Sequence, residues 1–144
     1  MAKVVKIPAP DWKDRLLLKE NGEVRSCLAN VALILENDPA IAGSFAFDDF
    51  AYRTAILKPT PWSQSTNREW TDIDDINATI WLQQAHGLMV SRDIAGLAVQ
   101  AVSDKRKTNP VLDYLQSLVW NGESRLDTAA SRYLGASATA YNRE

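Results

Sequence analysis

Three aspartates within four positions, Asp72, Asp74 and Asp75, are the residues in this chain most able to do chemistry. Clustered carboxylates are what a magnesium-dependent polymerase or nuclease uses to hold its metal. The spacing argues otherwise. All three fall in the first turn of one expected helix at successive angles, so they do not converge on a point. Acids in a first turn also complement the helix dipole, so a helix start capped by Thr71 is the favoured reading. Asp48 and Asp49 could join them only through a tertiary contact. His86 and Cys27 are the single histidine and single cysteine, too few for a zinc site. His86, beside Gly87, reads as a helix-end residue answering free carbonyls, and Cys27 as a buried structural thiol. No GxxxxGK[ST], GxGxxG or GxSxG pattern occurs. No catalytic residue, metal ligand or cofactor is expected in this chain.

Binding chemistry has better candidates. Arg92 and the run Lys105-Arg106-Lys107 flank an amphipathic segment and are the candidates for contact with DNA phosphates. The tandem of Asp72–Ala85 and Ser91–Lys105 has the length and tight connection of a helix-turn-helix. The bland alternative, a core helix pair with a solvated basic cap, is favoured, because the second helix exposes few bases. Of five tryptophans, only Trp62, in a loop with Lys58 and Arg68, is a candidate for stacking on a base, and loop anchoring is the favoured role even there.

These residues need elements to hold them. The 144 residues suffice for one core or for one domain plus an appendage, and 46% hydrophobic with 24% charged residues is an ordinary globular balance. A net charge of −2 argues mildly against a stand-alone nucleic-acid binder. A lone cysteine fits a reducing compartment, and no apolar run approaches a membrane span, so a cytoplasmic protein without membrane partners is expected.

Residues 1–12 carry Pro8 and Pro10 and read as extended or loosely ordered. Leu16 to Val24 reads as a hairpin around a primed Asn21-Gly22 turn. Ser26 caps a helix with Leu28, Val31, Ala32 and Leu35 on one face, ended by Asn37-Asp38-Pro39. Phe45, Phe47, Phe50, Tyr52, Thr54 and Ile56 read as a half-buried strand pair turning at Asp48-Asp49. A polar loop spans Lys58 to Arg68. Thr71 then caps a helix with Ile73, Ile76, Ile80 and Trp81 inward, and Ser91 caps another with Ile94, Leu97, Ala98, Ala101 and Val102 inward. Elements come in blocks, so the fold class is α+β, with short antiparallel strands or hairpins in the N-terminal half and a helix-turn-helix-like helical C-terminal half. Two parts are expected: a compact α+β domain over 1–108 and a helical lead-in over 109–144.

The lead-in carries the most specific pattern. Asn109-Pro110 restarts a helix through Val119, Trp120-Asn121-Gly122 makes a tight turn, and a second helix opens near Ser124. With Leu28-Ala29-Asn30-Val31, Asn37-Asp38-Pro39, Phe45-Ala46-Phe47, Pro61-Trp62, Trp70-Thr71-Asp72, Asp113-Tyr114-Leu115, Arg125-Leu126-Asp127 and Tyr133-Leu134-Gly135, this resembles the virulence-associated protein E family. Those are phage, prophage and plasmid primase-helicases, and the similar region lies just upstream of their phosphate-binding loop and ATPase core. Two departures stand out: Trp-Asn-Gly replaces the family's usual Trp-Asp-Gly, and Phe47-Asp48-Asp49-Phe50 replaces a Tyr-Asn-Glu-Phe-like sequence.

The resemblance implies a non-catalytic accessory domain in a bacterial cytoplasm. Its partners would be a downstream ATPase domain or helicase subunits, with DNA as a further one; ATP and magnesium would belong only to a full-length relative. The sequence ends at Glu144 before any phosphate-binding loop, which leaves a truncated form, a split gene and a stand-alone relative open. In this picture Leu112, Leu115, Leu118 and Val119 pack on the domain behind. Trp120, Arg125, Leu126 and Tyr133 are the expected inter-domain contacts. Two rivals remain: a helix-turn-helix regulator, and a small mobile-element protein that binds a host factor.

Overall fold

The computed structural model describes residues 11–123, 125, 126 and 128–137, so most of the expected extended N-terminus lies outside the described residues. The chain divides into two units, Met1–Pro110 and Val111–Glu144. The fold is α+β: a four-stranded mixed sheet lies mostly in the first half, and helices dominate the second.

In the first unit, a 3-10 turn (Trp12–Arg15) leads to helix α1 (Leu28–Asn37), then strands β1 (Phe45–Asp48), β2 (Arg53–Ile56) and the short β3 (Arg68–Glu69). Helices α2 (Asp72–His86) and α3 (Arg92–Asp104) follow, then β4 (Lys107–Thr108). The sheet order is β3-β2-β1-β4. β1 and β2 pair antiparallel, with Phe45 opposite Ile56 and Asp48 opposite Arg53, whereas β4 joins β1 in parallel. A parallel neighbour needs a long crossover, and the α2–α3 pair supplies it. α3 is the central element, packing against α1, α2 and β1. Val31, Ile34 and Leu35 of α1, Phe45 of β1, Leu82 of α2, and Ala95, Ala98, Val99 and Val102 of α3 form the core, with Ile41, Leu88 and Val90 closing it.

Helix ends obey local chemistry. Ser91 Oγ accepts from the Ile94 N–H at the start of α3, Gly87 closes α2 in a left-handed conformation, and Asp38 ends α1 in an extended one before Pro39. Ser26 departs from its expected role. Cys27, half-buried, holds the cap position of α1 without a side-chain bond, and the Ser26 hydroxyl accepts from Met89 N–H at 3.0 Å instead.

The expected hairpin reduces to one bridge, Leu18 to Val24. Only Gly22 of its turn has positive φ, so the Asn-Gly pair does not form the primed turn. What holds this segment is Asn30, buried on α1. Its amide donates to the carbonyls of Leu17 and Arg25 and accepts from Leu17 N–H, each at 2.8 Å. Phe50 and Tyr52, expected in the half-buried strands, lie in the exposed β1–β2 turn, where Asp48 Oδ1 accepts from the Phe50 and Ala51 amides.

The inward faces of α2 and α3 are rotated from expectation. Asp74, Ala78 and Leu82 are buried on α2, while Ile73, Ile76 and Ile80 are exposed on its other side; Trp81 does pack on the core. On α3, Ala95, Ala98, Val99, Val102 and Ser103 are buried, and Leu97 and Ala101 are outside. Small residues allow α3 its central place. At Gly96 a Cβ would stand 3.3 Å from Asp75 Oδ2, so glycine permits the close approach of α2.

In the second unit, helix α4 runs from the boundary residue Pro110 to Ser117, and α5 spans Ala129–Leu134. α4 is shorter than expected, and α5 opens later than Ser124, which lies outside the described residues. Gly122, at φ +80, makes the turn after Trp120.

The rotated α2 face is measurable. Leu82→Ala should cost about 3 kcal/mol in urea unfolding, the ordinary loss for a fully buried leucine. Ile73→Lys should stay within about 0.5 kcal/mol, as exposed sites do. A larger cost for the Ile73 substitution would place the isoleucine face inward after all.

Candidate functional site

The acidic trio separates on folding into three different jobs. Asp74 is 2% exposed and accepts two bonds from the Arg68 guanidinium, at 2.6 and 2.7 Å. Trp62 Nε1–H donates to its Oδ1 at 3.0 Å, and the Thr71 backbone N–H and hydroxyl both donate to its Oδ2 at 3.0 Å. Burial alone raises a carboxyl's pKa, but the bonds from Arg68, Trp62 and Thr71 outweigh it and hold Asp74 well below the usual carboxylate range. The same pairing raises the Arg68 guanidinium. Asp75 accepts from Trp70 Nε1–H at 2.8 Å, and Asp72 is exposed. Among the described residues, no group of three His, Cys, Asp or Glu side chains could hold a metal ion.

Trp62 is thereby a loop anchor. Its indole donates to Asp74 and packs edge-on against Trp70 at 5.7 Å, and Trp70 in turn lies 5.1 Å from Phe45 in the core. Sequence reasoning missed Arg68 as the partner of Asp74. A signal existed in the Arg-x-x-Thr-x-x-Asp spacing, which puts a cation just before a helix whose first turn is acidic.

A polar cleft of about 510 Å³ runs beside α3, lined by Thr54, Trp70, Thr71, Asp75, Gly96 and Gln100 among others. Next to it lies a second of about 410 Å³, lined by Phe47, Tyr52, Arg53, Gln100 and Ser103 among others, and sharing Thr54. Asp75 is occupied by Trp70, and Arg53 pairs with Glu69 at 2.8 Å. Ser103 donates to the Gln100 carbonyl at 3.0 Å and lies 3.2 Å from the Thr54 hydroxyl, which tethers β2 to α3. Bonds from Trp70 to Asp75, Arg53 to Glu69 and Thr54 to Ser103 thus tie the walls of the two clefts to each other.

His86 sits at the end of α2, its ring edge-on to Trp81 at 5.0 Å. Its Nε2 lies 3.1 Å from Asp38 Oδ2 without the alignment of a hydrogen bond. It faces a carboxylate at the end of α1 rather than the free carbonyls of its own helix.

The four candidate DNA contacts do not form one patch. Arg92 starts α3 beside Asp93, while Lys105, Arg106 and Lys107 follow its far end, roughly 18 Å away along the helix. Lys105 pairs with Glu36; Lys107 reaches Asp104 at 3.4 Å and Asp49 at 3.7 Å. Asp104, then Asp49, raise the Lys107 ammonium above its ordinary value. The exposed side of α3 also carries Asp93, Leu97, Gln100 and Asp104, so Arg92 is its single cation there against two carboxylates. That surface repels a phosphate backbone more than it attracts one.

All four expected inter-domain contacts are exposed. Trp120 Nε1–H donates to the Glu123 carbonyl at 3.2 Å. Arg125 bonds Asn121 Oδ1 and Glu123 Oε2, each at 3.0 Å. Leu126 and Tyr133 are exposed as well, with Arg132 lying over the Tyr133 ring.

Among the described residues, no helix is long and apolar enough to cross a membrane. No protein-family model matches this sequence, and no curated protein matches it significantly.

Asp74 gives a pH signature. Its folded pKa is depressed, so its stabilisation is complete above the unfolded aspartate value near 3.9 and drains away as pH falls below that. Asp74→Asn should cost about 3 kcal/mol at pH 7, because it strands the half-buried Arg68 charge, while Asp72→Asn stays within about 0.5 kcal/mol. Urea unfolding at pH 7 and pH 2.5 checks both. The gap between wild type and Asp74→Asn narrows at the lower pH; an equal gap at both would show that the carboxylate charge is not what stabilises the fold.

Proposed function

We propose that this chain is a non-catalytic accessory domain of a phage-, prophage- or plasmid-type replicative primase-helicase, seated beside the ATPase and helping to position it. One observation carries the reading beyond its motifs. Helix α4 is amphipathic in sequence, yet none of its residues is buried, and Val119 and Trp120 just after it are 90% and 76% exposed. Leu112, Leu115 and Leu118 add to the same exposed apolar set. A short segment of this kind cannot build a core from itself, and a concentration of exposed leucine, valine and tryptophan on a small unit is characteristic of a docking surface.

The acidic residues support the non-catalytic half of the proposal. Asp74 accepts from Arg68, Trp62 and Thr71 and Asp75 from Trp70, so both carboxylates serve as structural acceptors that tie loop and strand to α2. The second half rests on the Trp120-Asn121-Gly122 and Arg125-Leu126-Asp127 pattern and its resemblance to the lead-in of such helicases.

The reading predicts a longer polypeptide in which a phosphate-binding loop follows this segment, and that polypeptide is the one to test. It is expected to hydrolyse ATP, and this chain alone is expected not to. In that longer protein, Leu115→Glu with Leu118→Glu lowers ATP turnover about fivefold or more, as loss of a buried apolar contact of about 1–2 kcal/mol would, while the circular dichroism of the first unit is retained. Unchanged turnover in the double variant, or ATP hydrolysis by this chain alone, would sink the reading.

A further inference from the structure

The basic run at the end of α3 is divided by folding. Lys105 is drawn to Glu36, and Lys107 lies between Asp104 and Asp49, so both charges are answered locally. Arg106 turns elsewhere. A Cβ built on Gly43, just before β1, would stand 2.7 Å from Arg106 Nη1 and 3.6 Å from Lys58 Nζ. Gly43 has φ +76, a conformation glycine takes without strain, and its lack of a side chain leaves the room that the guanidinium enters. Two cations far apart in sequence thus meet within 4 Å of one point. Among the described residues, neither Lys58 nor Arg106 has an ion-pair partner.

Backbone bonds fix the points from which the two side chains start. Lys58 follows β2, and its backbone N–H donates to the Ser44 carbonyl at 3.2 Å; the Leu57 N–H donates to the same carbonyl at 2.7 Å, and the Ser44 hydroxyl donates to the Pro59 carbonyl at 3.0 Å. Arg106 is fixed by its N–H to the Ser103 carbonyl at 2.9 Å and by its own carbonyl, which accepts from Phe47 N–H at 3.0 Å. Both side chains therefore spring from a backbone tied to the start of β1. Like charges so placed repel each other, and an anion bound to both reverses the sign of the interaction. Arginine offers a planar fork that matches two oxygens of a phosphate, and lysine adds a compact point charge.

We propose that Lys58 and Arg106, converging over Gly43, form a binding site for a phosphate group. The phosphate belongs either to the backbone of a single nucleic-acid strand or to a free phosphate or nucleotide; the recognition chemistry is the same for both. This site uses no residue of the second unit and needs no neighbouring ATPase, so it stands or falls independently of the accessory-domain reading.

The experiment uses the full chain, with two probes at fixed low salt. Amide NMR spectra are titrated with inorganic phosphate, and a fluorescein-labelled oligothymidylate is followed by anisotropy. The variants are Lys58→Gln with Arg106→Gln, and Lys105→Gln with Lys107→Gln. All four positions are exposed, so folding should be kept in both. The expected result is that the Lys58/Arg106 pair weakens binding about tenfold or more, since two charge-assisted bonds are lost, while the Lys105/Lys107 pair changes it less than about twofold. Phosphate that shifts the Gly43 amide assigns the site to free phosphate groups. A response to the oligonucleotide alone assigns it to a strand backbone. Silence from both probes, or equal losses in the two double variants, overturns the site.

Discussion

The buried carboxylate of Asp74 is the constraint around which the first unit is arranged. Taking a charge out of water is costly, and it survives only where hydrogen bonds replace the lost hydration. Asp74 receives five: two from Arg68, one from Trp62 and two from Thr71. Each donor comes from a different stretch, namely the long loop, the short β3 and the residue that precedes α2. One side chain therefore fixes the path of a loop, the edge of the sheet and the start of a helix. The Trp62–Trp70 ring contact and the Trp70–Asp75 bond reinforce the same junction.

The same interaction sets the rotation of α2. Once Asp74 points inward, Ala78 and Leu82 follow at four-residue steps, and Ile73, Ile76 and Ile80 must lie on the opposite side. Hydrophobicity by itself would have placed three isoleucines against the core. A satisfied polar network overrides that preference because breaking it would leave an unpaired buried charge, a larger penalty than exposing apolar surface that remains partly covered. Helix α3 adapts from the other side: Asp75 Oδ2 occupies space that a side chain at Gly96 would crowd, and Ala95 and Ala98 fill the narrow space against the core.

This explains which parts of the fold could be read from the residues. The start of α3 and the ends of α1 and α2 were legible because caps are local: Ser91, the Asp38-Pro39 stop and Gly87 each act within a few residues. The β1–β2 pair was legible from its β-branched and aromatic content and its Asp48 turn. The inward faces were not, because Asn30, Asp74 and Ser103 occupy core positions where periodicity looks for apolar side chains. β3 and β4 are two residues each, too short to leave a pattern, and exist because β2 and β1 offer them a ladder. The Lys58–Arg106 convergence was equally hidden, since only the folded sheet brings the residue after β2 beside the one before β4.

What folding leaves uncovered is as informative as what it buries. Water tolerates scattered apolar side chains, but here they fall into sets: the isoleucines of α2 in the first unit, and the leucines of α4 with Val119 and Trp120 in the second. Meanwhile several charges of the first unit are engaged in internal pairs, Asp74 with Arg68, Glu69 with Arg53, Glu36 with Lys105. Pairing thus ties the first unit together from within, while Lys58 and Arg106, which have no ion-pair partner among the described residues, and the exposed apolar sets are what it leaves for other molecules to meet.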